Sequence, residues 1–226
     1  DQLPGGRVLK KYLASGRTRR AFLIGVTGSA GAGKSTLIAA LTGAIRRTRR
    51  KVAIIAVDPT SPKHGGAFLG DRVRMQELTE DQGVFIRSMA SRGSRGGIAK
   101  GTRDAALVFS EAGYDFVFIE TVGAGQLDDE VTRIVDLTLL VLTPEGGDEI
   151  QLAKGGLNEL ADVFVVNKAD RSGADRLVHL LKRDFEIDDW QDRRPVFKTI
   201  AEEKKGIEPL WKLIVRRAEG RREKTG

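Results

Sequence analysis

The sequence predicts an α/β fold of three layers, with a mainly parallel central sheet of about seven strands flanked by helices. Two observations carry this. From residue 21 onward, apolar β-rich runs alternate with helical patterns, and such alternation closes into a parallel sheet through right-handed crossovers. The runs are also apolar at every position, as in Val52-Ala53-Ile54-Ile55-Ala56-Val57. That is the pattern of strands covered on both faces.

The predicted strands lie at 21–27, 52–57, 84–89, 115–120, 136–142, 162–167 and 195–199, with helical patterns near 34–48, 71–79, 98–112, 149–160, 173–186 and 206–218. Residues 3–16 (Leu3, Val8, Leu9, Leu13) read as a short amphipathic helix ending at Gly16. There is no internal repeat and no low-complexity linker. The expected organisation is a short helical extension over 1–19, one domain over 20–218 and a basic tail over 219–226.

A chain of 226 residues can bury one sizeable core. No apolar run approaches the roughly 18–20 residues of a membrane span, and the first sixteen residues lack an apolar signal region. The absence of cysteine excludes disulfides and thiolate metal sites and fits a cytoplasmic protein. The net charge of +7 raises the question of a polyanionic partner. Basic clusters stand at 17–20, 46–51 and 216–224. Two of them fall at predicted helix C-termini, where cations suit the dipole. No aromatic residues interleave with them as a single-strand binding face requires. Solvated surface is therefore the preferred reading, and nucleic acid is disfavoured as a partner.

Between the first predicted strand and the first helix lies Gly28-Ser29-Ala30-Gly31-Ala32-Gly33-Lys34-Ser35, then Thr36. It fits the phosphate-loop pattern in the strand–turn–helix context that the motif needs. Glycines let backbone N–H groups turn inward around a phosphate, and the helix N-terminus adds partial positive charge. Lys34 would neutralise β- and γ-oxygens, and the Ser35 hydroxyl would ligate Mg²⁺. The candidate phosphate-binding residues are Gly28, Ala30, Gly31, Ala32, Gly33, Lys34, Ser35 and Thr36. The fold expected is thus that of a phosphate-loop nucleoside triphosphatase.

The run 162–166 ends in Asn167-Lys168-Ala169-Asp170, the guanine-recognition pattern Asn-Lys-x-Asp. The Asp170 carboxylate can accept from guanine N1–H and the exocyclic amine, which adenine does not offer in that arrangement. Asn167 can hold the loop and meet the base edge, and the Lys168 stem can cover the ring. Glu120, at the end of the strand at 115–119, can hold Mg²⁺ directly or through water. Gly123 can offer its amide to the γ-phosphate. Asp58 points to the same edge. Asp71 either caps a helix or reaches the metal. Long Gly-rich connections after Val57, at 91–97, at 123–126 and at 143–148 gather around that edge and read as switch or lid segments.

Asp58-Pro59-Thr60-Ser61-Pro62, the stretch from Gly65 to Met75, and Glu120-Thr121-Val122-Gly123-Ala124-Gly125-Gln126, taken with the two nucleotide motifs, resemble the MeaB/ArgK GTPases. These are chaperones of methylmalonyl-CoA mutase and related adenosylcobalamin-dependent acyl-CoA mutases. A similar GTPase domain is fused inside some isobutyryl-CoA mutases. The resemblance covers about residues 20–215. It implies GTP hydrolysis coupled to a partner mutase, gating cobalamin loading and protecting or rescuing the mutase. It further implies that Ser35, Asp58, Asp71 and Glu120 surround Mg²⁺, that Lys34 and Arg74 contact phosphates, and that the loop ending at Lys154 is an additional switch reporting to the mutase. A homo-oligomer is expected, although the family's dimerisation arm is not evident. Where the family commonly has Thr-Ser-Ala in its last nucleotide loop, this chain has Thr199-Ile200-Ala201. A backbone contact from Ile200 or Ala201 to guanine O6 survives that change, whereas a serine hydroxyl contact does not.

The expected chemistry is in-line attack of water on the γ-phosphate of GTP, yielding GDP. Ala124, not glutamine, follows Gly123. Glu120 and Gln126 are the candidates to orient that water, with Arg92 and Arg95 as candidate charge donors or plain exposed arginines. Three rivals stand beside this reading. A GTP-dependent metallochaperone needs Cys/His clusters, and this chain has only His64 and His179. A nucleic-acid- or ribosome-associated GTPase would use the positive charge. A kinase would need a base loop for a substrate hydroxyl, and none is visible.

Overall fold

The computed structural model describes residues 21–58, 76–90, 97–121, 131–145, 161–184 and 194–225. In chain order these form β1 (Phe22–Thr27), α1 (Lys34–Arg46), β2 (Val52–Asp58), α2 (Gln76–Thr79), β3 (Val84–Ala90), α3 (Gly97–Glu111), β4 (Phe116–Glu120), β5 (Leu137–Leu142), β6 (Val163–Val166), α4 (Ala174–Asp184), β7 (Val196–Lys198), a 3₁₀ turn (Ala201–Glu203) and α5 (Ile207–Thr225). The seven strands make one sheet in the order β3-β2-β4-β1-β5-β6-β7. Every pairing is parallel, so all strands end on the same edge. β1 is central, with Ile24 opposite Phe118 on one side and Leu137 on the other.

The apolar runs are buried as their composition requires: β1, β4, β5 and β6 are buried at every position. Alternate residues serve alternate faces. Ile24 and Val26 join Leu37, Leu41 and Ile45 of α1 and Leu210, Trp211 and Ile214 of α5. Leu23 turns the other way, toward Val117, Ile119 and Ala106 of α3. A third cluster seats α4 through Leu177 and Leu181 on Phe164 and Val166. Leu37 and Leu41 are fully buried, so truncating either to alanine costs about 2–5 kcal/mol.

The strand and helix positions agree with the sequence reading within a few residues, with one informative difference. Apolar periodicity stops near residue 218, but α5 continues to Thr225. Its last turns are rich in Arg, Lys and Glu, which are good helix formers without an apolar stripe. The predicted helices at 3–16 and 149–160, residues 71–75 of the one at 71–79 and residues 185–186 of the one at 173–186 lie outside the described residues. No helix among the described residues is long and apolar enough to cross a membrane.

At the strand N-terminal edge, Phe22, Phe116 and Trp211 pack edge to face, with ring centroids 6.3 and 5.1 Å apart. The Arg50 guanidinium lies 5.8 Å from the Phe116 ring and 5.9 Å from Trp211. Nearby, Arg46 grips Asp81 with two bonds of 2.8 Å and donates to the Arg50 carbonyl. Asp81 also accepts the Gly83 N–H at 2.8 Å. This clamp ties the end of α1 to the β3 approach. The Arg46 bond and the Gly83 amide hold the Asp81 carboxyl below its ordinary value.

Candidate nucleotide site

The phosphate loop connects the end of β1 to the start of α1, at the edge where all seven strands finish. Its shape follows from three glycines at positive φ: Gly28 at 136°, Gly31 at 79° and Gly33 at 89°. A Cβ on Gly28 would run into the Val141 carbonyl of β5, so the loop can lie against its neighbour strand only without one. Gly33 is the N-cap of α1 but offers no side-chain cap, and the first turn carries no acidic residue. The first N–H groups of α1 are therefore left for a ligand, as phosphate binding requires.

Lys34 is nearly buried and folds back over the loop. Its ammonium donates to the Gly28 carbonyl at 2.7 Å and the Ser29 carbonyl at 2.8 Å. The cation is thus held inside the cradle. Ser35, one residue on, donates its hydroxyl to Glu120 Oε1 at 2.6 Å. Glu120 ends β4 in register with Val26 and Ala56. Both groups are 7% exposed. A hydroxyl and a carboxylate side by side at a phosphate loop are the hard oxygen donors that Mg²⁺ takes, so the donor set fits that ion. Among the described residues no group of three or more His, Cys, Asp or Glu gathers for a metal. Asp58 is placed by its backbone only, at the end of β2 opposite Ala90.

The base-recognition loop leaves β6. Asn167 is 2% exposed, and both ends of its side-chain amide are engaged within the protein. Its Nδ2 donates to the Ala32 carbonyl at 2.9 Å. Its Oδ1 accepts from the Thr199 hydroxyl at 3.0 Å and the Ala201 N–H at 3.1 Å. A Cβ on Gly33 would strike that same amide. One side chain thus joins the phosphate loop, its own loop and the loop after β7. Lys168 sits at φ 55° and donates to the Gly31 carbonyl at 2.8 Å, so its stem lies across the phosphate loop. Asp170 is exposed and makes no hydrogen bond or ion pair among the described residues, which leaves its carboxylate available to a base.

The loop after β7 is closed by mutual backbone bonds between Ile200 and Lys205, each 3.1 Å. Lys205 pairs with Glu203 at 2.6 Å, and Glu203 first, with Asp170 behind it, holds the ammonium above the ordinary lysine value. The amides of Ile200 and Ala201 are both already engaged, with Lys205 and Asn167 respectively. A guanine O6 contact at Ala201 would therefore share the N–H now given to Asn167. No sequence motif singles out Thr199, yet its hydroxyl is one of the Asn167 anchors and it is 1% exposed. Its one sequence sign is its place directly after a strand, ahead of the pair assigned to the base.

The structure therefore brings together Gly28, Ala30, Gly31, Ala32, Gly33, Lys34, Ser35, Thr36, Glu120, Asn167, Lys168, Asp170, Ile200 and Ala201 at one sheet edge. Asp71, Arg74, Gly123, Gln126 and Lys154 lie outside the described residues, as do His64, Arg92 and Arg95. His179 is exposed on α4, away from the site.

The profile of the family described as methylmalonyl-CoA mutase-associated GTPase MeaB matches residues 6–226. A Pyrococcus abyssi relative is 49% identical over 202 residues, covering 87% of this chain and 62% of its own length. The GTPase ArgK of Escherichia coli is 42% identical over 202 residues, covering 85% of this chain and 60% of ArgK. The chain thus spans about three-fifths of the length of these two relatives. Among solved structures, one described as a LAO/AO transport system kinase superposes with a TM-score of 0.74 at 29% identity, covering all of this chain and 69% of that one.

Proposed function

We propose a function from one premise: the chain belongs to the MeaB family of methylmalonyl-CoA mutase-associated GTPases, and it is a GTP-hydrolysing enzyme. In our reading it works in the cytoplasm with Mg²⁺ as a chaperone for an adenosylcobalamin-dependent acyl-CoA mutase, gating cofactor loading and protecting or reactivating the mutase. The observation that carries this is the convergence of phosphate loop, Ser35–Glu120 pair and Asn167-centred base loop on one edge, in a chain of that family.

GTP binds with its phosphates against the amides of residues 28–36 and the open N-terminus of α1. Lys34 exchanges its Gly28 and Ser29 carbonyl partners for β- and γ-oxygens of the nucleotide. Ser35 and Glu120, with Asp58 and Asp71, would hold Mg²⁺, which when bound would neutralise charge on the phosphates. Glu120 bonds the Ser35 hydroxyl, which favours a metal-holding role for it over orientation of the attacking water. Gln126 is then the candidate for the water. Asp170 selects guanine, and Asn167 acts as a positioning residue between base and phosphates.

Arg74, Gly123 and Lys154 complete the proposal as phosphate-sensing and mutase-reporting positions. It follows that basal turnover is slow and rises when a mutase orders the loops. Capture by the chain loaded with a GTP analogue or with GDP, followed by identification of the bound protein and assay of GTP turnover with it, tests this. A mutase that binds according to nucleotide and raises turnover is expected. Rapid hydrolysis by the isolated chain, unchanged by any mutase, would overturn the chaperone reading.

A further inference from the structure

The +7 charge is not explained by the nucleotide site. Much of it gathers at the opposite edge of the sheet. The clusters at 46–51 and 216–224 meet there, as the Arg50–Glu219 contact at 3.9 Å records. Some of the cations are spoken for: Arg46 by Asp81, Arg47 by Glu208 and Arg50 by Glu219. Arg221 pairs with Asp136, whose carboxylate also accepts the Leu23 N–H at 2.7 Å, and the guanidinium lies 5.6 Å from the Phe22 ring centre.

Among the described side chains Arg49, Lys51, Arg216 and Arg217 are left, and the last two stand together. Both are exposed, and neither has an ion-pair or hydrogen-bond partner among the described residues. They line one cavity of about 380 Å³ with Phe22, Asp136, Gly220 and Arg221. Asp136 is 12% exposed at its side chain and already matched by Arg221, so the surplus charge of the cavity is positive. Gly220 lines it as well, and a Cβ there would meet nothing within 4 Å. Glycine inside a helix costs about 1 kcal/mol relative to alanine, so the gap it leaves is not a demand of α5.

We propose that this cavity is a second ligand site, taking a small organic anion with a phosphate or carboxylate head and an apolar body. Two guanidinium forks suit either head. The volume is within the range of a small-molecule pocket, the site is open to solvent on one side, and the nearly buried Phe22 ring and the helix surface supply its apolar part. The site is independent of GTP: it lies at the strand N-termini, across the sheet from Lys34.

The test is calorimetric titration of the full chain, saturated with GDP and Mg²⁺, with phenyl phosphate, benzoate and inorganic phosphate. Saturable one-to-one binding of phenyl phosphate or benzoate is expected, and the tighter of the two identifies the head. Arg216→Ala with Arg217→Ala should weaken it about tenfold or more. Gly220→Leu should abolish it while leaving the melting temperature and GTP hydrolysis intact, because the added side chain enters open space. Lys34→Ala should leave it unchanged. Absence of saturable binding, equal affinity for inorganic phosphate, or binding that survives Gly220→Leu in a folded chain would overturn the proposal. Should Gly220→Leu not fold, the exposed arginine pair decides alone.

Discussion

The two edges of the sheet use the same chemistry to opposite ends. At the strand C-termini, Lys34 and Lys168 donate to phosphate-loop carbonyls, acceptors whose place at an ammonium a phosphate oxygen can take. At the strand N-termini, Arg46 closes on a carboxylate that is itself tied to a backbone amide, and Arg50 lies against two rings. The first arrangement holds cations ready to be exchanged. The second fixes them. The difference lies in the partner: a neutral carbonyl competes poorly with phosphate for an ammonium, whereas a bidentate carboxylate does not let go.

Substitutions should separate the edges. Lys34→Ala should lower GTP turnover by about 10³-fold with an unchanged melting temperature, measured by phosphate release and calorimetry. A large loss of stability would show that the lysine is structural after all. Asn167→Ala should cross the boundary. It strands the Thr199 hydroxyl, the Ala201 N–H and the Ala32 carbonyl, costing about 3 kcal/mol in denaturant unfolding, and it should also weaken GTP. Asp170→Asn should cost GTP roughly a hundredfold in affinity and favour xanthosine triphosphate, with stability untouched. If ATP binds the unmodified chain as tightly as GTP, the assignment of Asp170 fails.

The smallest effect belongs to the other edge. Asp81→Asn should cost about 1–2 kcal/mol and leave turnover alone. Its pH dependence has a definite sign. The Asp81 carboxyl is lowered from 3.8 by Arg46 and the Gly83 amide. Its contribution is therefore complete above about pH 4 and fades as the pH falls through the lower folded value. Unfolding curves of Asp81→Asn and the unmodified chain should converge in acid. A gap that persists there would mean the clamp acts by shape rather than charge.

What the sequence made legible is what short stretches of chain decide. Gly28 to Ser35 could be read because backbone freedom, a helix start and a lysine are all local to it. Asp170 could be read because its partner is a ligand of known chemistry. Asn167 could be read only halfway. Its motif was plain, but its bond to Ala32 spans 135 positions, and nothing in the motif says that Thr199 and Ala201 share its oxygen. The length of α5 escaped for another reason: its last turns follow helix propensity with no apolar stripe to reveal them. The meeting of the clusters at 46–51 and 216–224 is likewise a product of the sheet order rather than of either cluster.

The bare N-terminus of α1 has a consequence beyond catalysis. With Gly33 as its cap and no side chain to close it, this helix lacks part of its own ending, and bound nucleotide supplies it. Nucleotide is in that sense a component of the folded state, adding about 2.7 kcal/mol when present at a hundred times its dissociation constant. The empty chain should open first here, so its lifetime against proteases would follow the guanine nucleotide supply around it.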